Sequence, residues 1–314
     1  MPATETTVAR ITNVAIQPDT EAAELYRSAR VAGFPADPTL NLERFAGKTI
    51  EQLTFTNVYL GGAAAWRSDD IRQIDWALPA AMQDSHLNNV LAQYFPDGKP
   101  TTAFKPSRIL EDAVPDRVYR DTIETLVASL DQSGALAGFE LASSVFCLFL
   151  PEGVVLVDGL STAPNGVDSK HGLGGYHGSV HAKRGSTTET VYYAVCAYSD
   201  GTNGISVFPD AWKNTCAVFY HELCEARTDP DVEDAIRAGN SSHANDFLGW
   251  YSPQGGEIGD IPLEEAGGNL KSIMREVKLA AGSKTVPVQF MWSNAVAGPE
   301  GPIARKHPTA SKIE

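Results

Sequence analysis

Apolar and polar residues alternate along several short stretches of the chain, and this pattern predicts the strands of a sheet. ETVYYAVCAY is rich in β-branched and aromatic residues, which favours a strand. We expect this strand near the edge of the sheet. SSVFCLFLP and GVVLVDG are short, apolar and separated by a Pro-Glu-Gly turn. We predict strands at TFTNVYLGG, SSVFCLFLP, GVVLVDG, ETVYYAVCAY and VPVQFMWSN.

Other stretches carry apolar residues at intervals of three and four, which is typical of helices. Pro79 should interrupt one of them. Asp229 should cap a short helix, DVEDAIRA, that ends at Gly239. We predict helices over Glu21 to Ala32, Asp70 to Tyr94, Asp116 to Leu130, Asp210 to Arg227, DVEDAIRA, and Leu270 to Ala281.

The chain of 314 residues is 43% hydrophobic and 20% charged, which suits a folded globular protein. We predict an N-terminal extension over residues 1–45, an α+β catalytic domain over residues 46–296 and a C-terminal tail over residues 297–314. The tail contains proline and lysine without periodicity, so we expect it to be flexible.

The charge balance is acidic, with 25 basic and 39 acidic residues and a net charge of -14. Such a surface repels phosphate backbones and anionic lipids, so we expect neither a nucleic acid nor a membrane as a partner. The first residues lack a basic segment followed by an apolar run, and the longest apolar stretch, VFCLFL, is too short to cross a bilayer. We therefore expect a cytoplasmic protein, with export by another route left open.

The chain has four cysteines and no CxxC spacing, which excludes a thiolate zinc knuckle. Cys216 and Cys224 are eight residues apart, and on one helix they would lie roughly 12 Å apart, beyond disulfide reach. Only Cys147 and Cys196 could pair. A reducing compartment is the simpler interpretation.

The candidate chemistry lies in FYHELCEARTDP, where His221 and Glu225 are four residues apart. In a helix this spacing places both side chains on one face, where they can bind a single cation. Glu222 then occupies the position of the general base in HExxH enzymes, in which it takes a proton from the activated water. Glu225 replaces the second histidine.

The alternative is a solvated helix face with one polar i, i+4 pair. We favour the metal site because the polar trio lies within an apolar helix, where burying it without a partner would be costly. We expect Zn²⁺, but carboxylate ligation also tolerates Mn²⁺, Fe²⁺ or Ca²⁺.

A catalytic zinc site needs a third protein ligand, and the candidates are Glu257 and Asp260 in GGEIGD. Flanking glycines would let the backbone approach the metal, with Ile258 as an apolar anchor. Asp229 is adequately explained as a helix cap, and Asp231 lacks the nearby glycine of extended zincin motifs.

Two histidines, His177 and His181, lie in GGYHGSVHAKRG, whose glycine density predicts a turn and not a helix. They are therefore not expected to form a second i, i+4 pair. His177 is expected to line the cleft, where it or Tyr251 could stabilise an oxyanion. The segment lacks the spacing of a nucleotide-binding loop.

HELCEARTDP followed by GWYSPQGGEIGD resembles the paired signature of the EXORDIUM-like, phosphate-induced protein family of plants and bacteria. VYLGGAAAWRSDD, GYHGS and VQFMWSN extend the resemblance over Asn57 to Asn294. It implies a zincin-type metallohydrolase, as in the bacterial members, whereas the plant members are regarded as secreted wall proteins. The chain departs from the family in carrying Ile261 where many relatives have cysteine, and we also expect no signal peptide.

We therefore expect an α+β, zincin-like metallohydrolase with a mixed sheet packed on the helix that carries HExxE. The first candidate reaction is peptide hydrolysis, with the substrate strand pairing along the sheet edge. The alternatives are a metal-dependent tailoring enzyme acting on a small molecule or modified peptide, and a non-catalytic binding protein with a structural metal.

Overall fold

The computed structural model describes residues 30–163, 166–184, 187–239 and 243–309. Most of the helix predicted over Glu21 to Ala32 lies outside the described residues. Within them the chain forms thirteen β-strands and seven α-helices, so the predicted α+β class is confirmed.

The elements follow one another with the bounds below. The strands are β1 (Glu43–Arg44), β2 (Gln52–Tyr59), β3 (Thr101–Ile109), β4 (Arg117–Tyr119), β5 (Ser144–Phe149), β6 (Val155–Val157), β7 (Gly175–Arg184), β8 (Thr187–Cys196), β9 (Trp250–Tyr251), β10 (Met274–Lys278), β11 (Thr285–Gln289), β12 (Met291–Ser293) and β13 (Gly298–Glu300). The helices are α1 (Ser68–Gln83), α2 (Ser85–Leu91), α3 (Arg120–Gln132), α4 (Ala211–Thr228), α5 (Val232–Ala238), α6 (Ala244–Phe247) and α7 (Asp260–Glu265).

The main sheet has five strands in the order β3-β2-β5-β8-β7. The first four run parallel, and β7 runs antiparallel to β8 at one edge. Four two-stranded sheets pair β1 with β9, β4 with β6, β10 with β11 and β12 with β13. The sheet is therefore mixed, as predicted, and an antiparallel strand forms the edge beside β8.

Both faces of the main sheet are buried. On β5, Cys147 and Phe149 pack with the apolar residues of α1 and α4. Phe146 and Leu148, which alternate with them, pack on the other face with Ile123 of α3. Burial of both faces explains why this strand is continuously apolar.

Helix α4 is the most deeply enclosed element. Every residue from Asn214 to Thr228 is buried, including the polar ones. The helix contacts β7 and β8 on one side and α1 and β11 on others. The predicted bounds of Asp210 to Arg227 agree closely, because Asp210 is the residue that precedes the first turn.

The strand at the edge of the sheet comes from the segment predicted to form a turn. β8, formed by ETVYYAVC, lies inside the sheet, and the edge strand is β7, in the segment expected to be a turn. Its glycines allow close packing: a Cβ on Gly175 would lie 2.6 Å from Cys196 Sγ, and one on Gly178 would lie 3.1 Å from Tyr193 Oη. Glycine there permits close approach of the neighbouring side chains and does not break the strand.

Three helix predictions also need correction. Pro79 lies inside α1, which ends only before Asp84, the residue whose side chain caps α2. The stretch Leu270 to Ala281 forms a short 3-10 helix and then β10, because pairing with β11 overrides its helical periodicity. Asp229 directly follows α4 and does not cap α5, which begins at Val232.

Among the described residues, segments beyond the predicted boundaries at residues 45 and 296 contact each other. Residues 298–300 form the buried strand β13. Val31 donates a main-chain hydrogen bond of 2.9 Å to Pro299, and His307 contacts Glu300 at 2.9 Å. Ordered packing therefore continues into the predicted tail.

All four cysteines are buried and free, so Cys147 and Cys196 do not pair. No helix in the described part of the chain is long and apolar enough to cross a membrane.

Arg227 anchors the end of α4. Its fully buried guanidinium donates to the main-chain carbonyls of Ile50, Glu51 and Thr101 at 3.3, 2.6 and 3.3 Å. Burial lowers its pKa to about 10, so it remains charged at neutral pH. These bonds tie α4 to the first residues of β2 and β3.

We expect Arg227→Ala to lower the free energy of unfolding by about 3–5 kcal/mol, because three carbonyls lose their donor and a cavity remains. Urea denaturation measures this loss. Arg237→Ala is the control: its side chain is 43% exposed, so removing its surface ion pair should cost about 1 kcal/mol or less. A similar small loss for Arg227→Ala would contradict the anchoring role.

Candidate metal centre

His221, Glu222 and Glu225 lie together on the buried middle of α4. Nε2 of His221 is 3.0 Å from Oε2 of Glu225 and 4.0 Å from Oε1 of Glu222. The i, i+4 spacing thus brings an imidazole nitrogen and a carboxylate oxygen side by side, close enough to bind one cation.

The loop before α7 brings Asp260 to the same place. Oδ1 of Asp260 lies 3.6 Å from Nε2 of His221. His221, Glu225 and Asp260 each offer one potential ligand atom within 4.8 Å of the others. Of the two candidates for the third ligand, Asp260 is therefore the one near His221.

Main-chain donors of the same loop hold Glu225. The N–H groups of Gly259 and Asp260 each donate to Oε1 of Glu225 at 3.1 Å. Two such bonds fix the carboxylate and leave its other oxygen facing His221.

Strands β11 and β12 position the loop before α7. The side chain of Gln289 donates to the carbonyl of Gly259 at 2.7 Å, and the N–H of Trp292 donates to the carbonyl of Ile258 at 2.7 Å. Ile258 is fully buried, as expected of an anchor. The segment VQFMWSN therefore holds in place the loop that leads to Asp260.

Strand β7 contributes His177, which is buried against α4. Its Nδ1 lies 3.4 Å from Oε2 of Glu222 and 3.8 Å from Oε2 of Glu225. Its Nε2 lies 3.0 Å from the main-chain carbonyl of Asp229. A neutral ring that donates to this carbonyl carries its proton on Nε2 and has Nδ1 free to accept or to bind a cation.

Glu257 lies against His177, and Tyr251 belongs to β9. Oε1 of Glu257 is 3.6 Å from Nε2 of His177, on the side of that ring away from Glu222. Tyr251 is in β9 and is not among the residues that line the adjoining cavity. The predicted site residues that line this one cavity are therefore His177, His221, Glu222, Glu225, Glu257 and Asp260, whereas Tyr251 does not line it.

The negative charge of the cluster changes the pKa values of its members. Burial lowers the pKa of His221, but the neighbouring Glu225 more than offsets this effect and raises it to about 10. Burial also lowers the pKa of His177, and its hydrogen bond to Glu222 and the charge of Glu225 raise it to about 9. The site therefore attracts positive charge.

Glu257 and Asp260 have raised pKa values, whereas a carboxylate in an ordinary ion pair has a lowered one. Burial, followed by the charge of Glu225, raises the pKa of Glu257 well above its usual range. The charge of Glu225 and then burial raise the pKa of Asp260 to about 6. Carboxylates crowded together resist ionisation unless a cation joins them.

A cavity of about 320 Å³ opens onto this cluster. His177, Glu222, Glu225 and Asp260 form its polar end, and its walls include Leu173, Ile205, Val218, Ile236 and Leu263. The cavity thus combines an apolar lining with a few converging polar groups, as small-molecule and substrate sites do.

The residues present fit a divalent cation. Imidazole and carboxylate are the ligands that transition metals prefer in proteins. The buried atoms His221 Nδ1 and Glu257 Oε1 make no hydrogen bond. Unsatisfied buried polar atoms are rare, and here they adjoin a group of potential ligands.

His177 lines the cavity, as predicted, but it does so from a strand and not from a turn. The signal that could have placed it was the alternation in GYHGSVHAKR, which puts residues 177, 179 and 181 on one face of a strand. The glycines concealed this alternation.

Gly259 lies where only a hydrogen fits: a Cβ there would be 2.5 Å from His221 Nδ1 and 2.9 Å from Glu225 Oε1. We expect Gly259→Ala to displace both side chains and weaken Zn²⁺ binding by about 10-fold or more, measured by competition with a chelator. Gly301→Ala is the control, because the nearest atom to its Cβ would be at an ordinary 3.5 Å. Equal affinity in both variants would contradict this account of the site.

Comparison of the chain with protein-family models, curated proteins and solved structures found no match.

Proposed function

We propose that the protein is a metal-dependent hydrolase with a zincin-like fold and that its first candidate reaction is hydrolysis of a peptide bond. The observation that supports this most strongly is the position of His221, Glu225 and Asp260 at the polar end of an apolar cavity, with Glu222 beside them. A hydrolase needs this combination of a cation site, an adjacent base and room for a substrate.

In this proposal His221, Glu225 and Asp260 hold the cation. A divalent cation there would polarise a substrate carbonyl and lower the pKa of a water molecule. The single imidazole in this group suits Zn²⁺, Mn²⁺ or Fe²⁺ better than Ca²⁺, which takes oxygen ligands.

Glu222 is the proposed general base. It accepts a proton from the attacking water, whose oxygen forms a bond to the carbonyl carbon. As the carbon–nitrogen bond breaks, Glu222 passes this proton to the leaving amine. His177 lies 3.4 Å from Glu222 and holds the carboxylate in place.

The surroundings favour a peptide substrate. β7 is an edge strand, so an extended peptide could pair with its main chain. The apolar walls at Leu173, Val218 and Leu263 would receive an apolar side chain next to the scissile bond. The family resemblance points to the same reaction class.

We expect Glu222→Gln to keep at least one cation per chain and to lower turnover of a peptide library by about 10²–10⁴-fold, because the glutamine cannot accept the proton. Metal analysis and mass-spectrometric detection of cleaved peptides measure the two effects. Glu225→Gln should weaken cation binding as well as turnover, since it removes a charged ligand.

Glu124→Gln is the matched control, because Glu124 is on α3 outside the cavity and pairs with Arg237. It should leave both cation content and turnover unchanged. Wild-type protein that binds no cation would contradict the proposal. A cation retained with no hydrolysis in wild type would favour the structural-metal alternative.

A further inference from the structure

Two groups of potential ligands meet at Glu225. One consists of His221, Glu225 and Asp260, and the other consists of His177, Glu222 and Glu225. In each group three ligand atoms lie within 4.8 Å of one another. The proposed hydrolase uses only the first group to hold a cation.

The distances within the second group suit a cation. Ligand bonds of about 2.1 Å place neighbouring ligand atoms roughly 3.0–3.4 Å apart. Nδ1 of His177 is 3.4 Å from Oε2 of Glu222 and 3.8 Å from Oε2 of Glu225. Small side-chain movements would bring all three atoms into coordination.

One cation does not account for both imidazoles. Three groups of potential ligands occur among the described residues, and none contains both His177 and His221. Both rings nevertheless lie near the same oxygen, Oε2 of Glu225, at 3.8 and 3.0 Å. A carboxylate approached from two sides by separate imidazoles is the arrangement of a bridging ligand.

The concentration of buried carboxylates points the same way. Glu222, Glu225 and Glu257 are at least nine-tenths buried, and Asp260 lies beside them. A second cation beside Glu222 and Glu225 would offset the mutual repulsion of these two buried carboxylates.

We infer that the protein has a second divalent-cation site, formed by His177, Glu222 and Glu225, adjacent to the His221 site and joined to it by Glu225. The two cations would lie about 3.5–4 Å apart, as in other carboxylate-bridged pairs. The carbonyl of Asp229 prepares His177 for this role, because a ring that donates through Nε2 binds a cation through Nδ1.

The consequence for catalysis rests on the proposed function. Glu222 is the proposed base, and a carboxylate that binds the second cation accepts a proton less readily. Loading of the second site would therefore lower turnover, so activity should peak near one cation per chain and fall as the second cation binds.

The site is tested by counting cations in metal-stripped protein dialysed to equilibrium with excess Mn²⁺. We expect two per chain in wild type, one in His177→Ala and two in His181→Ala. His181 is the matched control because it lies on the same strand, in an exposed group with Asp231 and Asp234. Electron paramagnetic resonance should give the spectrum of an exchange-coupled Mn²⁺ pair in wild type and of isolated Mn²⁺ in His177→Ala.

The wild-type spectrum tests the inference even if a variant fails to fold. One result is that wild type saturates at one cation, which remains in His177→Ala and is lost in His221→Ala. That result overturns the second site and leaves the proposed hydrolase intact. A second cation lost only in His181→Ala also overturns it. Absence of any bound cation overturns both proposals.

Discussion

The crowding of three buried glutamates and two buried histidines on and against the C-terminal half of α4 is the constraint on which the rest of the structure depends. Desolvation and mutual repulsion make such a cluster costly unless a cation or protons neutralise it. The raised pKa values of His177, His221 and Glu257 express that cost. A fold selected for stability alone would place apolar residues here, so the cluster points to function.

The surrounding elements hold this cluster from three sides. Arg227 ties α4 to the sheet, and the edge strand β7 presents His177. The loop with Gly259 presents main-chain N–H groups to Glu225 and is itself bound by β11 through Gln289. Because the ligands come from α4, β7 and the first residue of α7, which are packed separately, the geometry of the cluster depends on the whole fold.

Local sequence patterns predicted the elements whose apolar residues recur at regular intervals or form continuous runs. The apolar periodicity of α4 and the apolar runs of β5 and β8 gave their positions, and the HExxE spacing identified His221 and Glu225. The patterns failed where long-range pairing decides the structure. β7 looked like a turn because its glycines accommodate Cys196 and Tyr193, and β10 looked helical although β11 pairs with it. The choice of Asp260 over Glu257 beside His221 depends on a loop position that spacing does not encode.

Anomalous X-ray diffraction at the zinc absorption edge, on crystals of protein prepared with zinc, tests the central claim most directly. The account predicts an anomalous peak within about 2.3 Å of His221 Nε2 and of carboxylate oxygens from Glu225 and Asp260. A peak confined to surface residues, or no peak in the cavity, would contradict it.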